Sequence, residues 1–174
     1  MSVAAVIRIV NQMVSDGVVE LYAIGGAVGA TFYLEPAATL DIDFFVLFRS
    51  EPNKLVSLQP IFDYLVAHGG VIEGEHVVIA GWPVQFLPPT SPLVEEALRE
   101  AVVVDVDGAP ARVFTPEHLS AVALQTGRAK DKARLLQFVE SGVLDMPRFV
   151  DILSKHGLLD RWHAFRSTFL DDQS

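Results

Sequence analysis

Leu40 to Phe48 is a continuous apolar, β-prone run broken only by Asp41 and Asp43. Alternate residues of a strand share a face, so both carboxylates point one way while Leu40, Ile42 and Phe44 fill the other. Two like charges held among Ile42, Phe44, Phe45 and Val46 are costly unless a cation or hydrogen-bond donors compensate them. A hard divalent ion with oxygen ligands is the natural compensation, and Mg²⁺ (or Mn²⁺) on Asp41 and Asp43 is the expectation. Just upstream, the β-rich run Val18 to Ile24 is broken by Gly25-Gly26. Ala27 to Leu34 is then small and apolar enough for a buried helix stopped by Pro36. Without a Cβ the glycine backbone can approach a phosphate closely, and a helix start presents free N–H groups, so Gly25 and Gly26 are candidate phosphate contacts. A nucleoside triphosphate bridging the glycine turn and the metal would need positioning and charge neutralisation, not a covalent nucleophile.

Composition narrows the chemistry further. With 174 residues, 51% of them apolar, the chain can bury a sizeable core. It contains no cysteine, which excludes disulfides, thiolate metal sites and thiol nucleophiles. A net charge of -9 argues against an extensive nucleic-acid surface. Of the 13 lysines and arginines only Arg8, Arg49 and Lys54 precede residue 91, and four crowd together at Arg128, Lys130, Lys132 and Arg134. That cluster suits a small anion or, equally, a solvated helix face with local ion pairs. The five histidines, His68, His76, His118, His156 and His163, include no i, i+4 pair, so no histidine metal site is expected. No apolar run reaches the length of a membrane span and no leader pattern opens the chain, so a cytoplasmic, membrane-free protein is expected.

Helical spacing of Val3, Val6, Ile7, Val10 and Val14 predicts a helix over residues 2–16, and another is expected over 54–68. Residues 71–73, 76–80 and 83–87 read as strands, the last two joined through Gly81-Trp82. Ser91-Pro92 and Thr115-Pro116 each pair a capping side chain with a first-turn proline. Between the helices they open, residues 102–106 and 111–114 flank Asp107-Gly108, a strong hairpin signal. From residue 116 the pattern is helical: 116–126, 128–140, 147–155 and 158–169, separated by Gly127, Gly142 and Gly157. The expected architecture is a single α+β domain over residues 1–174, a mixed sheet with flanking helices through residue 114 and a helical C-terminal part from 115.

A glycine pair after a strand, a short helix and an Asp-x-Asp strand resembles the DNA polymerase β-like nucleotidyltransferase superfamily. The likeness is closest to its bacterial branch containing the AbiEii-type toxins. Gly25-Gly26, the string Thr39-x-Asp41-x-Asp43 and the later Gly127-Arg128-Ala129-Lys130-Asp131 match that branch in order and approximate spacing. The resemblance implies a nucleotidyltransferase fold in which Asp41 and Asp43 hold a divalent metal. Asp41, Asp43 and Lys130 would be catalytic, with Gly25, Gly26, Thr39, Gln85 and Arg128 on the nucleotide. Transfer-competent relatives place a third carboxylate on a neighbouring strand; the corresponding run here, Val84 to Leu87, offers Gln85. Two readings follow: an enzyme moving a nucleoside monophosphate from a triphosphate to a protein, RNA or small-molecule acceptor, or a degenerate nucleotide- or protein-binding module. The branch also permits a toxin or antitoxin role with a partner protein from a neighbouring gene.

Overall fold

The computed structural model describes residues 2–34, 41–48 and 57–171. Elements run in the order α1 (Val3–Ser15), β1 (Leu21–Gly25), α2 (Gly26–Ala30), β2 (Ile42–Leu47), α3 (Gln59–Ala67), β3 (Val71–Glu73), β4 (His76–Ile79) and β5 (Trp82–Leu87). They continue with α4 (Pro92–Arg99), β6 (Val102–Val106), β7 (Ala109–Val113), α5 (Pro116–Thr126), α6 (Ala129–Ser141), α7 (Met146–Lys155) and α8 (Leu159–Phe169). Among the described residues the strands form one seven-stranded sheet, β3-β4-β5-β2-β1-β7-β6. It is mixed: β1 and β2 are antiparallel, whereas β2 runs parallel to β5 and β1 parallel to β7.

Side-chain alternation divides the molecule into layers. Tyr22 and Ile24 of β1, with Ile42, Phe44 and Val46 of β2, are buried with Val6, Ile7, Val10 and Met13 of α1 and Ile61 and Leu65 of α3. Ala23 and Leu47 face the other way, into a core with Val94, Ala97, Leu98, Phe114, Leu119 and Phe138. Further out, Leu124, Leu135, Phe149, Leu153, Trp162 and Phe165 join the C-terminal helices to one another. The helical part therefore covers the sheet face that carries the odd-numbered residues of β2.

Local signals behave largely as their chemistry dictates. The Ser91 and Thr115 hydroxyls accept from the backbone N–H of Val94 and His118. Asp107-Gly108 closes the β6–β7 hairpin, with φ of 48° and 82°. Gly127 and Gly142 end their helices at φ of 71° and 72°. Four expectations shift. The β4–β5 turn is Ala80-Gly81, both at positive φ, so Trp82 begins β5 opposite Ile79. β1 starts at Leu21, because Gly17 and the bend after it turn the chain before Val19 is buried. α2 ends at Ala30, where tighter i+3 bonds and the Thr31 hydroxyl on the Val28 carbonyl replace the α pattern. α3 begins at Gln59, with Pro60 in its first turn; residues 54–56 lie outside the described residues.

Candidate active site

Asp43 lies in the middle of the sheet, paired with Gly25 of β1 on one side and with Gln85 of β5 on the other. Its carboxylate rests on the backbone of Gly26: a Cβ built there would stand 2.3 Å from Asp43 Oδ2, and Gly26 has φ +59°. Glycine is required at that position twice over, by conformation and by the approach of the acid. Gly25 is bare for another reason, since its Cβ would strike the Phe45 ring at 2.6 Å. Phe45 in turn packs on Phe114, ring centroids 5.0 Å apart. Of the two glycines only Gly26 borders the site.

Asp41 and Asp43 open into a cavity of about 380 Å³ bordered also by Gly26, Gln85, Arg128, Lys130 and Arg134. The alternation expected of β2 holds, with Ile42 and Phe44 fully buried on the opposite face. Burial raises the pKa of Asp43 above its ordinary value and the like charge of Asp41 pushes the same way, against the pull of Lys130, Arg134 and His76. His76 Nε2 lies 3.0 Å from Asp41 Oδ2.

The opposite wall comes from α6. Asp131, 2% exposed, accepts from the Arg128 backbone N–H at 3.3 Å and from Arg128 Nε at 2.7 Å. It also holds Arg134 at 3.6 Å. This buried acid orients two guanidinium groups at a helix start on the cavity's edge. The Arg128 pKa is raised, first by its bond to Asp131, with a further contribution from Asp43 across the cavity. Asp131, Arg134 and His76 are the site residues that sequence reasoning missed. The first two stood in the basic cluster with i+3 spacing as a usable signal, whereas nothing in the order of residues tied His76 to Asp41. Thr39 lies outside the described residues.

Paired carboxylates with an amide oxygen beside them make an oxygen donor set suited to one hard divalent ion. Mg²⁺ is commonly held by one or two carboxylates, the remaining positions being filled by water and substrate phosphate.

No protein-family model matches the chain, and no curated protein matches it in sequence. Solved structures do. An antigenic nucleotidyltransferase-like protein from Paracoccidioides brasiliensis superposes with a TM-score of 0.66 at 14% identity, covering 98% of this chain and 91% of its own. The antibiotic-resistance factor ANT(2'')-Ia superposes at 0.54 with 14% identity and 95% of both chains covered. Its complex with adenylyl-2''-tobramycin gives 0.52 at 16% identity, with 95% and 98% covered. At such identities the likeness concerns architecture: the chain is an α+β protein with the nucleotidyltransferase-like fold.

Proposed function

We propose that the chain is a metal-dependent nucleotidyltransferase that moves a nucleoside monophosphate from a triphosphate to an acceptor hydroxyl or amine. The observation that carries this reading is the Asp43 carboxylate pressed on the bare Gly26, beside Asp41 and opposite the cationic edge of α6. Asp41 and Asp43 would hold Mg²⁺ or Mn²⁺, with the Gln85 amide as a neutral neighbour. When bound, that ion supplies charge neutralisation at the phosphates and at the departing pyrophosphate. Lys130 and Arg128 would neutralise the phosphate oxygens from the far wall, and Asp131 would keep Arg128 turned toward them. Thr39 is the remaining nucleotide contact of this reading, whereas Gly25, bare for the sake of the Phe45 ring, drops out of it. The acceptor attacks the α-phosphorus, the bond to pyrophosphate breaks, and positioning does most of the work.

The order of Gly25-Gly26, Thr39-x-Asp41-x-Asp43 and Gly127 to Asp131 supports the AbiEii-like bacterial branch within this reading, and with it a partner protein from a neighbouring gene. Incubation with each labelled nucleoside triphosphate and Mg²⁺ or Mn²⁺ tests transfer directly, using candidate acceptors of all three classes. Absence of both label transfer and metal-dependent triphosphate binding would sink the proposal. A second reading is favoured by Gln85, which pairs in register with Asp43 at the place where a third carboxylate would stand. In it the fold serves as a degenerate binding module, and a triphosphate raises the melting temperature without being turned over.

A further inference from the structure

Three helices converge on a second polar cluster, and none of its members borders the Asp41–Asp43 cavity. Glu96 lies on α4 and Glu100 caps that helix one turn later. His118 is the third residue of α5, and His156 caps α7. The His118 ring is fully buried, with Nε2 3.1 Å from Glu96 Oε2 and 3.3 Å from Glu100 Oε2. His156 Nε2 reaches the same Glu96 oxygen at 3.1 Å. One ligand atom each from Glu96, Glu100 and His118 all lie within 4.8 Å of one another.

The two spacings from His118 Nε2 to the carboxylate oxygens, 3.1 and 3.3 Å, are close to those of a coordination shell. A tetrahedral Zn²⁺ with bonds of about 2.0–2.1 Å sets its donor atoms about 3.3 Å apart. The buried ring is also held from behind. His118 Nδ1 lies 2.7 Å from Thr115 Oγ1, so with an ion bound the tautomer protonated on Nδ1 would donate to that oxygen and leave Nε2 to the ion. Lys155 engages the other Glu96 oxygen, Oε1, and leaves Oε2 to the cluster. Arg99 is engaged with Glu95 at 3.3 Å, not with Glu96 or Glu100. Imidazole nitrogen combined with carboxylate suits Zn²⁺ better than Mg²⁺ or Ca²⁺, which prefer all-oxygen shells.

We propose that Glu96, Glu100 and His118 form a three-residue Zn²⁺ site, its fourth position left to a water or a ligand, that ties α4 to α5. It is separate from the carboxylate pair of β2 and independent of the transfer reading. Such a site would clip α5 to α4, and a bound ion stabilises the folded chain by its affinity.

The test uses the full chain freed of metal with a chelator. Zn²⁺ is titrated against a chromogenic chelator, and Co²⁺ is added separately to read coordination geometry. The expected result is one saturable micromolar site showing the intense visible absorption of tetrahedral Co²⁺, together with a higher melting temperature. Asp41→Asn should keep this site intact. Glu100→Gln, at an exposed position, should weaken Zn²⁺ binding at least about 10-fold. His118→Gln goes deeper into the core, so Glu100→Gln decides the matter if that variant fails to fold. Absence of saturable Zn²⁺ binding would overturn the site, as would binding that survives Glu100→Gln but disappears in Asp41→Asn.

Discussion

Asp43 and Glu96 are both carboxylates withdrawn from water, and they meet opposite electrostatic fates. Burial raises the pKa of Asp43 and Asp41 adds to it, while Lys130, Arg134 and His76 act only from a distance. Burial would raise that of Glu96 as well, but hydrogen bonds from Lys155, His118 and His156 outweigh it and hold the group at about 2. In the metal-free chain Glu96 is satisfied by donors of its own protein and contributes to stability, whereas Asp43 is left without such donors. The pair on β2 faces an open cavity; the Glu96 cluster sits where three helices meet.

The comparison breaks most sharply at Asp43. Asp43→Asn should cut nucleotide transfer at least about 100-fold while leaving the melting temperature unchanged or higher, since it removes a desolvated, like-charged neighbour of Asp41. Label transfer and a thermal melt measured on the same sample check both halves. A variant that loses stability and keeps activity would place Asp43 in the same class as Glu96.

Gly26→Ala should cost about 1–3 kcal/mol, because the new Cβ meets Asp43 Oδ2 at 2.3 Å and the backbone stays at φ +59°. Denaturant unfolding measures the loss. Transfer should fall with it, as the carboxylate is driven from its place.

Acid should act on the other cluster. The folded pKa of Glu96, about 2, lies below its ordinary 4.5, so its stabilisation is full above pH 4.5 and is lost as the pH falls toward 2. Burial lowers the pKa of His118 below 6.5, so the folded chain resists a proton that the unfolded chain accepts, and stability again falls with acid. With chelator present the wild type should lose about 1–3 kcal/mol between pH 4.5 and 2, where folded Glu96 resists a proton that the unfolded chain accepts, and Glu96→Gln should flatten that part of the slope. Equal slopes in the two proteins would remove the contrast with Asp43.

The smallest effect is expected at Gln85. Gln85→Glu should tighten Mn²⁺ binding about 10-fold by adding a carboxylate in register with Asp43, and should destabilise the metal-free chain slightly. Calorimetric titration separates this from the degenerate reading, in which the substitution leaves Mn²⁺ binding absent.

Much of the β2 site was legible in the order of residues. Asp41 and Asp43 share a face because strands have a period of two, and a glycine pair before a carboxylate strand says that backbone and acid approach closely. Gln85 was also readable, as the polar position of an apolar strand, although only the parallel pairing of β5 with β2 brought it beside Asp43. The basic cluster was visible as a patch. Its division into Arg128 and Arg134 on a buried Asp131, with Lys130 at the cavity, depended on how α6 sits over the sheet.

By itself the sequence determined what is local: caps at Ser91 and Thr115, the Asp107-Gly108 hairpin, helix ends at Gly127 and Gly142, and the facing of the two aspartates. These follow from backbone conformation and side-chain period, which neighbours along the chain decide. Only the tertiary structure brought His76 to Asp41, 35 residues apart, and His156 to Glu96, 60 residues apart. Such meetings have no periodic signature, because they are set by how the apolar faces of whole elements pack, and the polar groups are carried along to wherever that packing leaves them.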